Sequence, residues 1–378
     1  MRIGIVAYPL ARKFTGISVY LYNLIKHLHK IDGENQYFLY APNSLQIPFE
    51  EVPSSWHLRI KKGRLNTMAT CWMQFNANND LRKDAIDIFW ATESILPINL
   101  PSRVRTILTV YDLTYCFYPS TLKWDNRIIY PLFFKTSLLK AHQIITISES
   151  VALEIKDKFP KLQNKIKYAY PGICQKEFRP LPKTQTKQYI ADKFHTSTDY
   201  LLTVSTIEPR KNIENLLKSY ALFRRNYPQL NYPLLIAGGK GWQNSSIYRI
   251  YKKLKFSPAE VKFLNYVPQE DLVKLYNGAE LFLFPSLYEG FGFPPLESMA
   301  CGCPVLVSNI PIFKEILNDA AIFVEPLNIQ EISEGIYRGL TDINLKKNLI
   351  QKGLERVQLF SWEKTAKTLL ELFTKRSK

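Results

Sequence analysis

The sequence predicts an α/β protein with two similar halves, each built on a parallel sheet. Its strands are unbroken apolar runs such as 281–284 (LFLF), which suit a parallel strand covered on both faces. A strand, a glycine loop and a helix follow one another at 3–28 and again at 281–300. The pattern restarts after a segment rich in proline and turns at 170–182, and a length of 378 residues fits about two domains.

The composition indicates a soluble globular protein without a targeting segment. Hydrophobic residues make up 46% of the chain and charged residues 22%, which is ordinary for folded domains. The first apolar run, at 3–8, is too short for a signal peptide, and no apolar stretch reaches the roughly 18 residues of a membrane span. We therefore expect a cytoplasmic protein.

The five cysteines predict neither a disulfide framework nor a metal site. Their number is odd, they are scattered, and Cys301 and Cys303 lack the two-residue spacing of redox and zinc motifs. We expect reduced, partly buried thiols.

The positive charge implies anionic partners. Lys and Arg number 50 against 33 Asp and Glu, a net charge of +17. Anionic lipid headgroups, diphosphate-bearing substrates and nucleic acids would all be attracted. The sequence contains no nucleic-acid-binding motif, so we do not expect a nucleic-acid partner. The basic stretches at 59–64 and 251–255 are either binding surfaces or solvated faces, and both interpretations stay open.

The first half begins with a buried strand at 3–8 and an amphipathic helix that opens at Gly16. A glycine at the mouth of a helix lets a diphosphate approach the backbone, so Gly16 is either a ligand contact or a structural turn residue. Further strands are predicted at 37–40 and 86–90, and residues 60–80 are interpreted as a helical insert.

Another covered strand, 106–110, carries Tyr111 and Asp112 at its carboxyl end, where ligands bind in open α/β sheets. Asp112 is either a polar group on the substrate side or the cap of the following turn. Ser148 is predicted as the N-cap of the next helix, and His142 as a structural residue.

The second half begins with a strand at 200–205, followed by Glu208, Arg210 and Lys211 and then a helix from about 213. Two adjacent cations at a helix start oppose the helix dipole, which is understandable if an anion binds there. An exposed basic turn is the alternative. The strands at 233–237 and 261–267 follow, and the chain ends in a helix that includes 365–373.

The most informative stretch is AELFLFPSLYEGFGFPPLESMACGCP, residues 279–304. Glu289 lies at the end of its strand, and Glu297 comes eight positions later, about one turn into a helix predicted from Pro294. Both carboxylates could then face one crevice and accept hydrogen bonds from the vicinal hydroxyls of a sugar or ribose. Either acid alone has a plainer explanation, a surface residue or a helix-dipole residue. The aromatic residues between the glycines favour a binding loop.

The nonapeptide EGFGFPPLE, Glu289 to Glu297, resembles the two-glutamate signature of retaining, nucleotide-sugar-dependent glycosyltransferases of family 4. Weaker matches to that family's pattern occur in the expected order, at 3–25, 141–151, 203–216, 234–239 and 261–284. The resemblance implies the GT-B fold, in which two Rossmann-like parallel-sheet domains face each other across a cleft. It implies an acceptor domain at 1–175, with the helix 361–375 packing back on it, and a nucleotide-sugar donor domain at 185–358.

The resemblance also implies roles for individual residues of the second half. Lys211 and Arg210 would bind the leaving diphosphate, Glu289 the hydroxyls of the donor sugar, and Glu297 the ribose diol. The remaining donor-binding candidates are the Gly290, Phe291 and Gly292 backbone, Glu208, and Tyr266 and Val267 beside the base.

In the first half the resemblance assigns Gly16 to the donor and Asp112 to catalysis on the acceptor side. Relatives often carry a histidine where this chain has Tyr111, and that histidine reaches the donor sugar. The departure leaves open whether the Tyr111 hydroxyl takes over the role.

The implied activity is retaining, metal-independent hexosyl transfer of the kind used in polysaccharide biosynthesis. Mannose from GDP-mannose is the leading donor, ahead of UDP-glucose and other hexosyl donors. No Asp-x-Asp metal motif occurs in the sequence, and we expect no cofactor. The acceptor would be a glycan, a glycolipid or a small molecule; a lipid-linked acceptor and an anionic inner membrane face would suit the positive charge. A sugar-nucleotide epimerase of GT-B fold and a non-catalytic membrane-associated subunit are the alternatives.

Overall fold

The computed structural model describes residues 1–11, 15–61, 72, 74, 77–122 and 124–374. The chain divides into two compact units. The first unit comprises Met1–Tyr115, Trp124–Gly172 and Ser361–Lys378, and the second comprises Cys116–Lys123 and Ile173–Phe360.

The first unit is built on a seven-stranded parallel sheet in the order β3-β2-β1-β4-β5-β6-β7. Its strands are β1 (Arg2–Val6), β2 (Gln36–Ala41), β3 (Trp56–Ile60), β4 (Ile88–Ala91), β5 (Arg105–Val110), β6 (Gln143–Thr146) and β7 (Ile166–Tyr168). The helices of this part of the chain are α1 (Gly16–Ile31), α2 (Ala77–Lys83), α3 (Thr114–Phe117), α4 (Trp124–Lys140) and α5 (Glu149–Lys158), with short 3-10 turns at Tyr8–Ala11, Pro119–Thr121 and Pro160–Lys165.

The predicted strands of this sheet are confirmed, and two more, β3 and β7, were missed. Strand β3 lies at the sheet edge, and only Trp56 of its residues is buried, so it lacks the apolar run that marks the others. Arg59 in β3 is paired with Asp84 at 2.7 Å, which gives one residue of the basic stretch a structural role. Of the insert predicted at 60–80, residues 62–71, 73, 75 and 76 lie outside the described residues, and α2 begins at its end.

The second unit is built on a six-stranded parallel sheet in the order β10-β9-β8-β11-β12-β13. Its strands are β8 (Leu201–Val204), β9 (Leu234–Ala237), β10 (Val261–Asn265), β11 (Leu281–Phe284), β12 (Val305–Ser308) and β13 (Ile322–Val324). The helices are α6 (Lys183–Phe194), α7 (Ile213–Asn226), α8 (Ser245–Lys253), α9 (Gln269–Gly278), α10 (Phe293–Ala300), α11 (Pro311–Leu317), α12 (Ile329–Thr341) and α13 (Ile343–Val357), with a 3-10 turn at Pro209–Lys211.

Strand β11 shows why an uninterrupted apolar run predicts a covered strand. Leu281 and Leu283 belong to the core cluster on one face of the sheet. On the other face Phe282 packs against Tyr276, with ring centroids 5.5 Å apart, and Phe284 against Phe313 at 5.9 Å. All four strand residues are buried, and each large apolar side chain removed from water contributes about 1.5–3 kcal/mol.

The last helix, α14 (Trp362–Thr374), belongs to the first unit. Trp362 packs against Tyr20 of α1, with ring centroids 5.9 Å apart. A Cβ on Gly172 would lie 2.1 Å from the Trp362 backbone nitrogen, so position 172 requires glycine for α14 to pack on this unit. None of the helices in the described part of the chain is both long and apolar enough to cross a membrane.

A short segment from the connection between β5 and α4 belongs to the second unit. There Tyr118 donates to the Leu287 carbonyl at 3.3 Å, and its ring lies 5.6 Å from that of Tyr288. The indole N–H of Trp242 donates to the Thr121 carbonyl. The segment therefore packs on the loop that leads to Glu289, a placement that sequence order does not indicate.

Candidate active site

The carboxyl ends of β8 and β11 bring two loops of the second unit together. The strands are parallel neighbours, so the segments that follow them lie at one edge of the sheet. The Leu287 N–H donates to the Arg210 carbonyl at 2.9 Å, and the Asn212 side-chain amide donates to the Pro285 carbonyl at 2.9 Å. These hydrogen bonds hold two loops together. We call residues 205–212, after β8, the basic loop and residues 285–292, after β11, the glutamate loop.

The basic loop ends in a turn rather than in the first turn of a helix. Pro209–Lys211 forms a 3-10 turn, Asn212 takes the left-handed conformation with φ 57°, and α7 begins at Ile213. Asparagine tolerates this conformation better than most residues. Arg210 and Lys211 therefore precede the first residue of α7 by three and two residues.

The two loops join four charged side chains in one cluster, consisting of Glu208, Arg210, Lys211 and Glu289. Arg210 donates from Nη1 to Glu289 Oε2 at 3.0 Å and from Nη2 to Glu208 Oε1 at 2.9 Å. Lys211 Nζ lies 2.5 Å from Glu289 Oε1. Arg210 also donates to the Tyr288 carbonyl at 2.7 Å. The sequence predicted these residues at one site, but it did not predict that Glu289 pairs with both cations.

The cluster is formally neutral and almost closed to solvent. The side chains of Arg210, Lys211 and Glu289 are 16%, 13% and 10% exposed. Burial raises the pKa of Glu289, but Lys211 and Arg210 outweigh this effect and leave its pKa below the ordinary value. Glu289 is therefore ionised at neutral pH. At Glu208, burial raises the pKa above its ordinary value, and the positive charge of Arg210 opposes this shift.

Burial and the neighbouring guanidinium of Arg210 lower the pKa of Lys211, while Glu289 and Glu208 oppose the shift. An anion that entered the cluster would meet two cations whose present partner is a carboxylate. Such hydrogen bonds between ionised groups are about twice as strong as neutral ones. The two cations can therefore exchange one anionic partner for another, so that neither cation is left unpaired.

The glycine loop before α10 is shaped by Gly292, which has φ +104°. A Cβ at this position would also lie 2.7 Å from the Phe313 ring. Phe291 is buried, with its ring 5.2 Å from Phe293 and 5.7 Å from Phe360. Phe291 in the loop and Phe293 at the start of α10 thus anchor the loop by packing, and their side chains have a structural explanation.

Glu297 lies in α10 and has an environment unlike that of Glu289. The Tyr276 hydroxyl donates to Glu297 Oε2 at 2.9 Å, and no cation of the described residues pairs with this carboxylate. Burial raises the pKa of Glu297 to about 7, and the Tyr276 hydrogen bond opposes the shift. Tyr276 was missed in the sequence because it lies 21 residues away on another helix.

The turn after β9 is built around Gly238. Its N–H donates to the Asn265 carbonyl at 2.7 Å, and its φ is +145°. Asn265 takes a left-handed φ of 59° at the end of β10. The next residue, Tyr266, is 55% exposed, and Val267 is buried. The predicted base-binding positions, Tyr266 and Val267, therefore follow a turn that is hydrogen-bonded to the turn at Gly238.

Replacing Gly238 with alanine is expected to destabilise the second unit by about 2–4 kcal/mol. The added Cβ would lie 1.9 Å from the Ser205 carbonyl oxygen and would force a left-handed φ on alanine. Urea unfolding would measure the loss. The adjacent Gly239→Ala is the matched control, because its Cβ would meet nothing within 4 Å; equal losses in both variants would contradict the steric account.

The predicted site residues of the first unit are placed as follows. Gly16 is the first residue of α1, whose first turn contains no acidic residue. The Tyr111 hydroxyl is buried and has no hydrogen-bond partner among the described residues, and its ring lies 5.4 Å from Tyr20.

Asp112 Oδ1 accepts from the Thr114 N–H at 2.9 Å, which supports the capping alternative. His142 bonds to Thr106, in agreement with a structural role.

The cysteines and acidic groups give no further candidate within the described ranges. Cys116, Cys174, Cys301 and Cys303 are free thiols, and Cys71 lies outside those ranges. No group of three or more His, Cys, Asp or Glu side chains among the described residues could hold a metal ion.

Comparison with known proteins identifies the family. The family model described as "Glycosyl transferases group 1" matches residues 186–356. O-antigen chain mannosyltransferase B of Escherichia coli is 31% identical over 265 residues, which cover 70% of this chain and 69% of that protein. Serotype-specific mannosyltransferase WbdA of Escherichia coli is 32% identical over 238 residues, which cover 62% of this chain and 29% of that protein.

The structure of HepE of Anabaena in complex with UDP-glucose is similar over 99% of both chains, with a TM-score of 0.74 and 14% identity. This likeness, with the two parallel-sheet units, confirms the GT-B fold. The family model and the sequence relatives identify the protein as a glycosyltransferase. It belongs to the family of group 1 glycosyl transferases.

Proposed function

We propose that the protein transfers a mannosyl residue from GDP-mannose to a saccharide acceptor, with retention of configuration and without a metal ion. The observation that carries the proposal is the cluster in which Glu289 is held by Arg210 and Lys211. It places two cations and a carboxylate at the carboxyl edge of the sheet, where a nucleotide sugar would present its diphosphate and its sugar hydroxyls.

The choice of mannose is supported by the two relatives, which are both named as mannosyltransferases. HepE was solved with UDP-glucose, and the fold therefore accommodates other hexosyl donors. UDP-glucose is accordingly the second donor to test.

In the proposed reaction the incoming diphosphate takes hydrogen bonds from Arg210 and Lys211, and Glu289 is released to bind hydroxyls of the donor sugar. Fixed positive charges then stabilise the diphosphate as its bond to the anomeric carbon breaks. The acceptor oxygen bonds to the anomeric carbon on the same face, and its proton passes to a diphosphate oxygen. This scheme needs no protein general base, and Glu297 would hold the ribose diol.

The remaining roles are also proposals. Gly16 would let the diphosphate approach the start of α1, and Asp112 would contact the acceptor in addition to capping its turn. Tyr111 would not replace the histidine of relatives in the described conformation, because its hydroxyl is buried beside Tyr20. A lipid-linked saccharide at an anionic membrane face would suit the net charge of +17.

The donor can be identified by calorimetry with GDP-, UDP- and dTDP-sugars in the presence of EDTA. We expect selective binding of GDP-mannose by the wild type, strongly weakened in Lys211→Ala and in Glu297→Ala. If no nucleotide sugar binds without metal, the metal-independent mechanism is contradicted. If UDP-glucose binds best, the mannosyl assignment is wrong and the diphosphate site stands.

A further inference from the structure

Tyr276 and Glu297 form a partly buried contact, and the proposed reaction does not use Tyr276 directly. We infer that Tyr276 is a positioning residue, which fixes the Glu297 carboxylate for the ribose hydroxyls and helps to keep it ionised when a nucleotide binds. The inference rests on the proposed function, because it takes Glu297 as the ribose ligand.

The geometry holds the tyrosine ring firmly. Tyr276 lies near the end of α9 and is fully buried. Its ring packs edge-on against Phe282 of β11, at 5.5 Å between centroids, and against Phe178 at 6.2 Å. A rigid ring has one direction in which to present its hydroxyl, and that direction ends on Glu297 Oε2 at 2.9 Å. The hydrogen bond therefore selects one orientation of the carboxylate.

The other carboxylate oxygen remains available for a ligand. Within the described residues, the Tyr276 hydroxyl is the single hydrogen-bond donor to the Glu297 side chain, and it contacts Oε2. Oε1 therefore retains its capacity to accept from a hydroxyl. An ionised carboxylate accepts through both oxygens, whereas a protonated one has lost part of that capacity.

The surroundings of Glu297 make its pKa depend strongly on the Tyr276 hydroxyl. Among the groups that face it, Glu177 raises its pKa, and the Cys301 thiol, directly after α10, lies close to it. The Cys303 thiol lies close to Tyr276. None of these described groups is a cation that could replace the tyrosine. Loss of the Tyr276 hydroxyl would therefore raise the pKa of Glu297 further above its value of about 7.

The sign of the pH effect follows from these shifts. Glu297 is mostly protonated below pH 7 and mostly ionised above it. Since the ionised form is the better acceptor for ribose hydroxyls, nucleotide affinity should rise as the pH increases through about 7. Without the tyrosine hydroxyl the same rise should occur at higher pH.

The test is calorimetric titration of the full chain with GDP between pH 6 and pH 9. We expect Tyr276→Phe to weaken GDP binding about tenfold at pH 7, and we expect the defect to shrink toward pH 9. With 2′,3′-dideoxy-GDP, wild type and variant should bind equally at every pH. Glu297→Gln should remove the part of the rise in affinity between pH 6 and pH 8 that 2′,3′-dideoxy-GDP, which carries the same titrating phosphates, does not show.

Tyr220→Phe is the matched control. Its hydroxyl donates to the Tyr232 and Glu260 carbonyls at 2.9 and 3.0 Å, so the variant loses partly buried hydrogen bonds at a place away from Glu297. It should lower thermal stability and leave the pH profile of GDP binding unchanged. A defect in Tyr276→Phe that is equal at all pH values, or equal with the dideoxy ligand, would overturn the positioning role.

The same titrations distinguish a failure of the role of Tyr276 from a failure of the proposed function. If the wild type binds GDP and Tyr276→Phe follows the same pH curve, only the role of Tyr276 is overturned. If the wild type binds no nucleoside diphosphate at any pH, the proposed function fails and the inference fails with it.

Discussion

Replacing Glu289 with glutamine is expected to slow sugar transfer by about 100- to 1,000-fold without weakening nucleotide binding. Glutamine keeps the size of the side chain but removes the charge that now neutralises Arg210 and Lys211. The two cations would then bind a diphosphate at least as well as before, while the sugar would lose its charged hydrogen-bond acceptor. Turnover of GDP-mannose should therefore fall, while affinity for GDP should stay the same or increase.

Calorimetry with GDP and a coupled assay of GDP release would measure the two quantities separately. Glu355→Gln, an exposed glutamate on α13, should leave both unchanged. If Glu289→Gln loses nucleotide affinity in proportion to turnover, Glu289 serves only to hold the basic loop, and its assignment to the donor sugar is contradicted.

Replacing Lys211 with methionine is expected to weaken binding of nucleoside diphosphates about 10- to 100-fold. The variant loses an almost fully buried ammonium and the charge-assisted hydrogen bonds that it would make to phosphate oxygens. Binding of the nucleoside alone should change little, because the base and ribose contacts are elsewhere in the proposed site. The comparison of GDP with guanosine therefore isolates the diphosphate.

Lys253→Met is the corresponding control for the loss of one positive charge. Lys253 is exposed on α8, and its removal changes the net charge by the same amount. An equal loss of GDP affinity in both variants would show that the overall charge attracts the nucleotide, and it would contradict a specific diphosphate site at Lys211.

The sequence was sufficient for features that depend on local spacing. The covered strand β11, the glycine loop and the start of α10 near Pro294 all follow from residues close together in the chain. These predictions use the periodicity and connection rules of α/β proteins. The assignment of Glu289, Arg210 and Lys211 to one site came instead from the resemblance of their motifs to the family's pattern.

What the sequence did not show depends on contacts between distant segments. The pairing of Glu289 with both cations joins positions 79 and 78 residues apart, and the Tyr276 hydrogen bond joins two helices. Strand β3 was missed because an edge strand needs no continuous apolar run. The segment around Tyr118 joins the second unit through hydrogen bonds and ring contacts that leave no local pattern.

The most direct test of the proposed function is product analysis with GDP-mannose and mannose-terminated oligosaccharides, in the presence of EDTA. Mass spectrometry would detect an added hexose, and proton NMR would give the configuration of the new bond. We predict GDP release, addition of one mannosyl residue, and the α configuration of the donor in the product. A β-linked product would contradict retention, and transfer that appeared only after addition of a divalent metal would contradict the role given to Arg210 and Lys211.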